Sequence, residues 1–228
     1  SICRSSPKPD MLVIEPDFTR RIELPGVGAC PRPVDIDQGV TGFSDLVSLR
    51  IYTFAGGMVI DGEAEKDELF IVLMRGTIDV EVAGGSTHNF LLRTQSGPRA
   101  VYLPPHDRYR LHARSDADVA YARARPRAGK AKIAHAFDGV DGRLAVVGYA
   151  DSLSIALSTG NGGDNSTLLA LGKAAGERLI HLRANDGGAI GVAEQQLHDW
   201  QTLALGRSES GDISLTSGSA TVLVVAAS

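Results

Sequence analysis

Cysteine, histidine and aromatic residues are scarce in this chain, and their scarcity excludes several kinds of site. The two cysteines, Cys3 and Cys30, form no Cys-x-x-Cys pair, which excludes zinc-knuckle and thioredoxin-type sites. One interpretation is two free thiols in a reducing compartment, and the other is a Cys3–Cys30 disulfide. The six histidines do not cluster, so the sequence offers no His-rich metal motif.

Long apolar runs and a strong charge of either sign are also absent. The longest mostly apolar run covers residues 220–227, whereas a membrane-spanning helix needs about 20 residues. Residues 1–10 lack the apolar core of a signal peptide and are predicted to form a flexible tail, so we expect a cytoplasmic protein. The net charge of −4 gives no basic surface for nucleic acid, and we expect neither a nucleic-acid nor a membrane partner.

Glycine is abundant, and short β-branched runs recur between the turn residues. Residues 47–52 and 78–82 alternate apolar with polar side chains, whereas residues 69–74 are continuously apolar. Alternation indicates a strand with one wet face, and a continuous run suits a strand that is buried on both faces. The pattern is typical of an all-β barrel or sandwich.

A stretch with no strand periodicity separates two halves of similar strand density. Residues 121–132 carry five basic side chains and one proline, so we place a linker near residues 124–134. The predicted domains are an amino-terminal barrel over residues 11–124 and a carboxy-terminal barrel over residues 135–228. This organisation favours a duplicated architecture, although no residue-level repeat is visible.

Two segments resemble the paired motifs of the cupin superfamily. In the first, Glu68 opens a strand that ends at the turn residue Gly76, and a second, alternating strand follows. In the second segment, residues 99–111, a proline pair turns the chain into a strand. Within cupins, residues 11–125 are similar to the amino-terminal barrel of 5-deoxy-glucuronate isomerases. The resemblance implies two jelly-roll antiparallel β-barrels in tandem, in a family of bicupins that isomerise sugar acids.

The resemblance also implies positions for metal ligands. Metal-binding cupins usually supply His-x-His, a Glu four or five residues later and a His in the second motif. Counting back from Glu68 places the first two positions at Asp61 and Glu63, and the last falls on Tyr109. These four residues make at best a hard oxygen site for a divalent metal such as Mg, Ca or Mn. The alternative is surface acids beside a core strand, and no other cofactor is indicated.

The carboxy-terminal barrel of the related isomerases carries their metal on a His-rich loop, and this chain has no such loop. His135, His181 and His198 are isolated from one another. His181 lies in an apolar run and is interpreted as a hydrogen-bonded core histidine. The family's catalytic residues therefore do not carry over to residues 135–228, and the catalytic residues remain unknown.

Further polar residues are candidates for a ligand pocket at the mouth of the first barrel. His106 and Asp107 form a pair that either does acid–base chemistry or only makes a turn. A basic stripe that includes Arg110 either clamps a carboxylate or phosphate, or pairs with Asp79 and Glu81 on a neighbouring strand. The pocket candidates are Glu68, Tyr109, His106 and Arg110.

Two functions follow as expectations. The first is a metal-depleted cupin that binds a small polar molecule, such as a sugar or an organic acid, or that has a regulatory role. The alternative is a sugar-acid isomerase resembling 5-deoxy-glucuronate isomerase. Exposed edge strands also make a homodimer an expected partner arrangement.

Overall fold

The computed structural model describes residues 11–84, 87–127, 132–159, 166–184, 188–192, 194–209, 211–217 and 220–228. The predicted tail at residues 1–10, and with it Cys3, lies outside the described residues. Cys30 is a buried free thiol, and burial raises its pKa to about 11. No helix among the described residues is long and apolar enough to cross a membrane.

The described chain is all-β apart from two short helices, as predicted. The elements of the first half are β1 (Met11–Ile14), β2 (Arg21–Leu24), β3 (Gly28–Pro31), β4 (Val34–Asp37), α1 (Gln38–Thr41), β5 (Leu46–Phe54), β6 (Val59–Glu63), β7 (Glu68–Arg75), β8 (Thr77–Ala83), β9 (Thr87–Arg93), β10 (Gly97–Leu103), β11 (Arg108–Ala113) and β12 (Ala117–Ala124). Those of the second half are β13 (His135–Gly139), β14 (Arg143–Val146), β15 (Leu153–Thr159), α2 (Ser166–Lys173), β16 (Glu177–Ala184), β17 (Ala189–Val192), β18 (Gln195–Leu197), β19 (Thr202–Leu205), β20 (Ile213–Ser217) and β21 (Ala220–Ala227).

The strands form two barrels, each made of a six-stranded sheet packed on a smaller one. In the first barrel, the sheet β13-β10-β7-β12-β5-β4 packs on the sheet β6-β11-β8-β9. In the second barrel, the sheet β1-β19-β16-β21-β15-β14 packs on the sheet β18-β17-β20. The two large sheets face each other across a third apolar core, which joins the barrels.

Strand alternation explains how one sheet serves two cores. In β7, Leu69, Ile71 and Leu73 point into the first barrel, whereas Phe70 and Val72 point toward the second barrel. Both faces are buried, which is why the run reads as continuously apolar in the sequence.

Each barrel receives one edge strand from the segment that precedes the other barrel. Strand β1 pairs with β19 of the second barrel, with Met11 opposite Leu205. Strand β13 pairs with β10 of the first barrel, with Tyr102 opposite His135. The division into residues 11–124 and 135–228 stays a prediction, and strand pairing crosses it at both of these strands.

The two large sheets repeat each other strand for strand. Ala124 lies opposite both Glu68 and Leu46, and Ala227 lies opposite both Glu177 and Leu153. Glu68 and Glu177 therefore occupy equivalent positions at the first residues of β7 and β16. This is the residue-level repeat that is not visible in the sequence alone.

The equivalent glutamates bind reciprocally across the contact between the barrels. Glu68 accepts hydrogen bonds from the backbone N–H groups of Asp151 (2.6 Å) and Ser152 (3.0 Å), just before β15. Glu177 accepts them from the backbone N–H groups of Asp45 (2.8 Å) and Leu46 (2.8 Å), at the start of β5. Each barrel thus holds the other through a buried carboxylate.

His181 is the predicted core histidine. It is fully buried on β16, and its Nδ1 lies 2.9 Å from the hydroxyl oxygen of Thr202. Burial, with a smaller contribution from the Arg183 charge, lowers the pKa of His181 to about 3. The imidazole is therefore neutral in the folded protein at neutral pH, which suits an apolar contact and not a charged role.

We expect the neutral state of His181 to make folding stability depend on pH in weak acid. An unfolded chain takes up a proton on this imidazole near pH 6.5, and the folded chain does not do so until about pH 3. The free energy of unfolding should therefore fall by about 1.4 kcal/mol per pH unit below pH 6.5 through this residue. Urea unfolding at pH 7, 6 and 5 should show a shallower fall for His181→Gln. The exposed-site variant His198→Gln should follow the wild type, and equal slopes for the two variants would contradict the assignment.

Candidate functional site

The first barrel opens where β12 ends and where β5 and β7 begin. On β12, Val119 and Tyr121 point into the barrel, and Arg123 continues the same row to the mouth. On β5, Arg50, Tyr52 and Phe54 make the corresponding row. Arginines therefore stand at the mouth above an aromatic interior.

Three tyrosines form a layer below the arginines. The ring of Tyr121 lies 5.4 Å from the ring of Tyr52 and 5.9 Å from that of Tyr109, measured between centroids. They line an inner cavity of about 80 Å³. Burial raises the pKa of Tyr109 to about 12 and that of Tyr121 well above its usual value. Both phenols are therefore neutral, and neither is a base at neutral pH.

A larger pocket lies outside the tyrosine layer, and we call it the mouth pocket. It has a volume of about 300 Å³, and its wall includes Ser48, Arg50, Glu65, Asp67 and Arg123. Arg50 and Arg123 also line the inner cavity, so they separate the two spaces. The volume is within the usual range for a small-molecule site.

The two arginines of the mouth pocket differ in what binds their guanidinium groups. Arg123 donates to the backbone carbonyl oxygens of Glu63 (2.6 Å) and Ala64, and it forms no ion pair with a carboxylate of the described chain. Arg50 donates from Nε to a carboxylate oxygen of Asp35 at 3.1 Å. Because carbonyl oxygens do not neutralise the charge of Arg123, its guanidinium is available to an anionic group, beside the carboxylates of Asp37, Glu65 and Asp67 on the same wall.

Two buried polar groups on the pocket wall lack partners. Asp67 is 4% exposed and Ser48 is 2% exposed. Oδ1 of Asp67 and the hydroxyl oxygen of Ser48 have no hydrogen-bond partner among the described residues. Burial raises the pKa of Asp67, although the Arg123 charge opposes the shift. Such groups cost stability unless something pairs with them, and a ligand in the mouth pocket would do so.

Glu68 does not belong to this pocket, contrary to the expectation that it shares one with Tyr109. Its side chain points toward the second barrel and accepts hydrogen bonds from the hydroxyls of Tyr102 (2.9 Å) and Ser152 (3.1 Å), besides the backbone donors described above. Tyr109 points into the first barrel. The side chain of Glu68 therefore lies outside the barrel, on the outer face of the large sheet, whereas that of Tyr109 extends from the small sheet into the barrel. Glu68 is a structural link between the barrels.

The remaining predicted residues lie on the outer surface of the small sheet or in a turn. Arg110 binds Asp61 with two hydrogen bonds of 2.8 and 3.1 Å, and Glu63 lies 3.6 Å from Arg108. Arg108 and Arg110 thus pair with acids on β6, and Arg114 binds Asp79 on β8, one of the two expected acids. His106 is exposed in a turn with a φ of 70°. Of the predicted candidates, Tyr109 lines the inner cavity; Asp61 also borders it, but the carboxylate of Asp61 is turned to Arg110 on the outer face.

The residues that line the mouth pocket were missed in the sequence analysis. Arg123 belongs to the basic stretch at residues 121–132, but it lies in β12, one residue before the end of that strand. Arg50 interrupts the apolar residues of β5, and Asp67 directly precedes Glu68. For Arg50 and Arg123, the signal in the sequence is a charged side chain within a strand that is otherwise mostly buried.

Comparison with known proteins assigns the family. The model of the KduI/IolB family matches residues 32–144. These residues belong to the KduI/IolB family. No curated protein matches the chain by sequence. The match confirms the resemblance to 5-deoxy-glucuronate isomerases and covers the first barrel together with β13.

Solved structures confirm the tandem cupin fold. An IolB-like protein from Salmonella typhimurium LT2 is 15% identical and has a TM-score of 0.59, with 86% of this chain and 89% of that chain covered. The bacterial pirin YhhW from Escherichia coli, in complex with nickel(II), is 10% identical and has a TM-score of 0.60, with 95% of this chain and 99% of that chain covered. An oxalate decarboxylase variant from Bacillus subtilis is 7% identical with a TM-score of 0.58, covering 95% and 77%. At these identities the likeness shows the fold alone.

The fold corrects the register of the expected metal ligands by one residue. Ala64, Leu69 and Tyr109 are the side chains that point into the first barrel, and Gly62 lies directly beneath Tyr109. A Cβ placed on Gly62 would meet the Tyr109 hydroxyl oxygen at 2.3 Å. Positions 62, 64 and 69 keep the His-x-His and Glu spacing of metal-binding cupins, but none of these residues can bind a metal ion.

The described residues therefore do not fit a resident metal in the first barrel. Asp61, Glu63 and Glu68, which were weak candidates, point away from its interior, and no group of three or more His, Cys, Asp or Glu in the described chain has the arrangement of a metal site. The phenol of Tyr109, with its raised pKa, is a poor anionic ligand.

In the second barrel, the residue equivalent to Leu69 is Arg178. Arg178 is fully buried and donates to the carbonyl oxygens of Gly172 (2.7 Å), Gly206 (2.8 Å) and Glu209. A guanidinium cannot ligate a cation. Arg178 therefore links α2 and the turn after β19 to β16, and its role in the second barrel is structural.

Proposed function

We propose that the protein binds a small hydroxylated carboxylic acid, of the sugar-acid class, in the mouth pocket of the first barrel. The observation that carries this proposal is the set of Arg50, Arg123, Ser48 and Asp67 around one space of about 300 Å³. Guanidinium groups pair with a carboxylate, and the unpartnered polar groups of Ser48 and Asp67 suit ligand hydroxyls. Membership of residues 32–144 in the KduI/IolB family supports the choice of sugar acids.

Isothermal titration calorimetry with D-glucuronate, D-galacturonate and neutral D-glucose tests this proposal. We expect saturable binding of at least one acid and at least tenfold weaker binding of glucose, because a charge-assisted hydrogen bond contributes about 1.5–3 kcal/mol. Arg50→Gln and Arg123→Gln should each weaken binding of that acid by about tenfold or more.

Arg108→Gln is the matched control, because Arg108 is exposed on β11 and outside the mouth pocket. Its affinity should equal that of the wild type. Thermal unfolding of every variant separates lost binding from lost folding, since Arg123 also holds two backbone carbonyls. Equal affinity for glucose and the acids, or no effect of Arg50→Gln, would contradict the proposal.

The alternative function is a sugar-acid isomerase, and family membership is the observation that favours it. The missing metal ligands favour binding without metal-assisted chemistry, so the two observations support different functions. Both observations are satisfied if a side chain of the first barrel transfers the proton without the help of a metal. Incubation of the chelator-treated protein with each acid, followed by nuclear magnetic resonance for the ketose or aldose product, distinguishes isomerisation from binding.

A further inference from the structure

We infer that Asp67 is a proton-transfer group that lets the mouth pocket catalyse enolisation of a bound hydroxy-carbonyl acid without a metal. This inference rests on the proposed function, because it needs the acid to bind in the mouth pocket. It goes beyond binding by assigning the chemical step to a residue that the family's metal-ligand pattern does not include.

The position of Asp67 carries the inference. Asp67 follows the sharp turn at Glu65 and Lys66, and its backbone N–H donates to the carbonyl oxygen of Ala64 at 3.3 Å. Its side chain is 4% exposed, lines the mouth pocket and keeps Oδ1 unpaired among the described residues. A purely structural buried aspartate would normally have both oxygens paired, as Asp118 has with Thr53 and Arg75. An unpaired oxygen at the pocket wall is available to a ligand.

The charges around Asp67 suit a proton-transfer role. Burial raises the pKa of Asp67, and Arg123, Lys66 and Arg125 oppose the shift while Glu65 adds to it. A carboxylate with a raised pKa is a stronger base than a surface aspartate, and it keeps a proton at a pH closer to neutrality. Asp61, by contrast, is bound to Arg110 through two hydrogen bonds, and the phenols of Tyr109 and Tyr121 are neutral.

The step balances without any added reagent. The Asp67 carboxylate removes the proton from the carbon next to the ligand carbonyl, and the C–H electron pair forms the C=C bond of an enediolate. The negative charge moves to the former carbonyl oxygen, where a guanidinium such as Arg123 stabilises it. Protonated Asp67 then returns the proton to either carbon. Return to the first carbon restores the ligand. Return to the former carbonyl carbon, with a proton moving between the two oxygens, gives the aldose–ketose isomer.

Deuterium exchange measures this step directly. The chelator-treated wild type is incubated in D₂O with the acid that binds most tightly, and proton nuclear magnetic resonance follows loss of the signal from the carbon next to the carbonyl. We expect exchange above the protein-free rate, and a loss of about 100-fold or more in Asp67→Asn, the usual effect of removing an acid–base group. Asp138→Asn, an exposed aspartate on β13, is the matched control and should exchange at the wild-type rate.

The outcomes separate this inference from the proposed function. If calorimetry shows binding but the wild type does not exchange, the inference is wrong and the binding proposal stands. If no acid binds, the binding proposal fails, and the inference that rests on it fails with it. Exchange that persists in a folded Asp67→Asn variant that still binds the acid would also overturn the assignment. A metal requirement is excluded if exchange in the wild type is unchanged by added EDTA.

Discussion

Replacing Glu68 by alanine is expected to lower the free energy of unfolding by about 3 kcal/mol or more, with no direct effect on the mouth pocket. The carboxylate is buried and accepts hydrogen bonds from Tyr102, Asp151 and Ser152. Its removal leaves several buried donors unpaired, and each costs about 1–3 kcal/mol. Burial and the Glu68 charge raise the pKa of Tyr102, so this phenol remains a donor.

The equivalent change at Glu177 should have a similar effect, because its carboxylate accepts from Ser44, Asp45 and Leu46. Urea unfolding followed by circular dichroism measures both. Glu81→Ala on the exposed face of β8 is the matched control and should change stability by less than about 0.5 kcal/mol. A Glu68→Ala variant that is as stable as the control, or that loses acid binding at full stability, would show that Glu68 serves the pocket after all.

The fold class was predictable because strand periodicity is a local property. Residues 69–74 are apolar on both faces and residues 78–82 on one face, and the structure has strands at both places. The pairing of β1 and β13 with the opposite barrels was not predictable. Four or five residues of alternating pattern specify a strand and its buried face, but they do not specify which sheet edge it joins.

The register of the site could not be fixed from spacing alone. The cupin pattern places the Glu four or five residues after the second His, and counting back five residues from the acid at position 68 placed the two His positions at Asp61 and Glu63. A shift of one residue in a strand moves every side chain to the other face. Glu68 consequently faces the second barrel, whereas Leu69 takes the inward position.

The internal repeat was hidden because its conserved part is small. Ser44-Asp45-Leu46 and Asp151-Ser152-Leu153 share a role, since each supplies backbone donors to the glutamate of the other barrel. Beyond these positions the halves have diverged in size and charge, as Leu69 and Arg178 illustrate. The restraint that remains is the packing of two sheets on one another, and apolar residues of many kinds satisfy it.

A metal site should appear in the first barrel if ligands are placed at the inward-facing positions. The variant Gly62→His, Ala64→His, Leu69→Glu and Tyr109→His supplies three imidazoles and one carboxylate, which suits nickel or zinc. The Tyr109 change is required, because its ring fills the space above Gly62. We expect about one equivalent of bound metal in this variant by elemental mass spectrometry of untagged protein, against no stoichiometric metal in the wild type.

The control places the same ligands one residue away. The control variant carries Asp61→His, Glu63→His and Tyr109→His beside native Glu68. Its donor set is identical, but three of the four donors point away from the barrel interior. This variant should bind no stoichiometric metal. Circular dichroism establishes that both variants fold, which is needed because Leu69 is fully buried. Metal in the control and none in a folded inward-facing variant would mean that the uncorrected register is the functional one. Metal in the inward-facing variant alone would show that the first barrel retains the cavity of a metal-binding cupin and lacks only the donors, since four side-chain changes would then be enough to restore it.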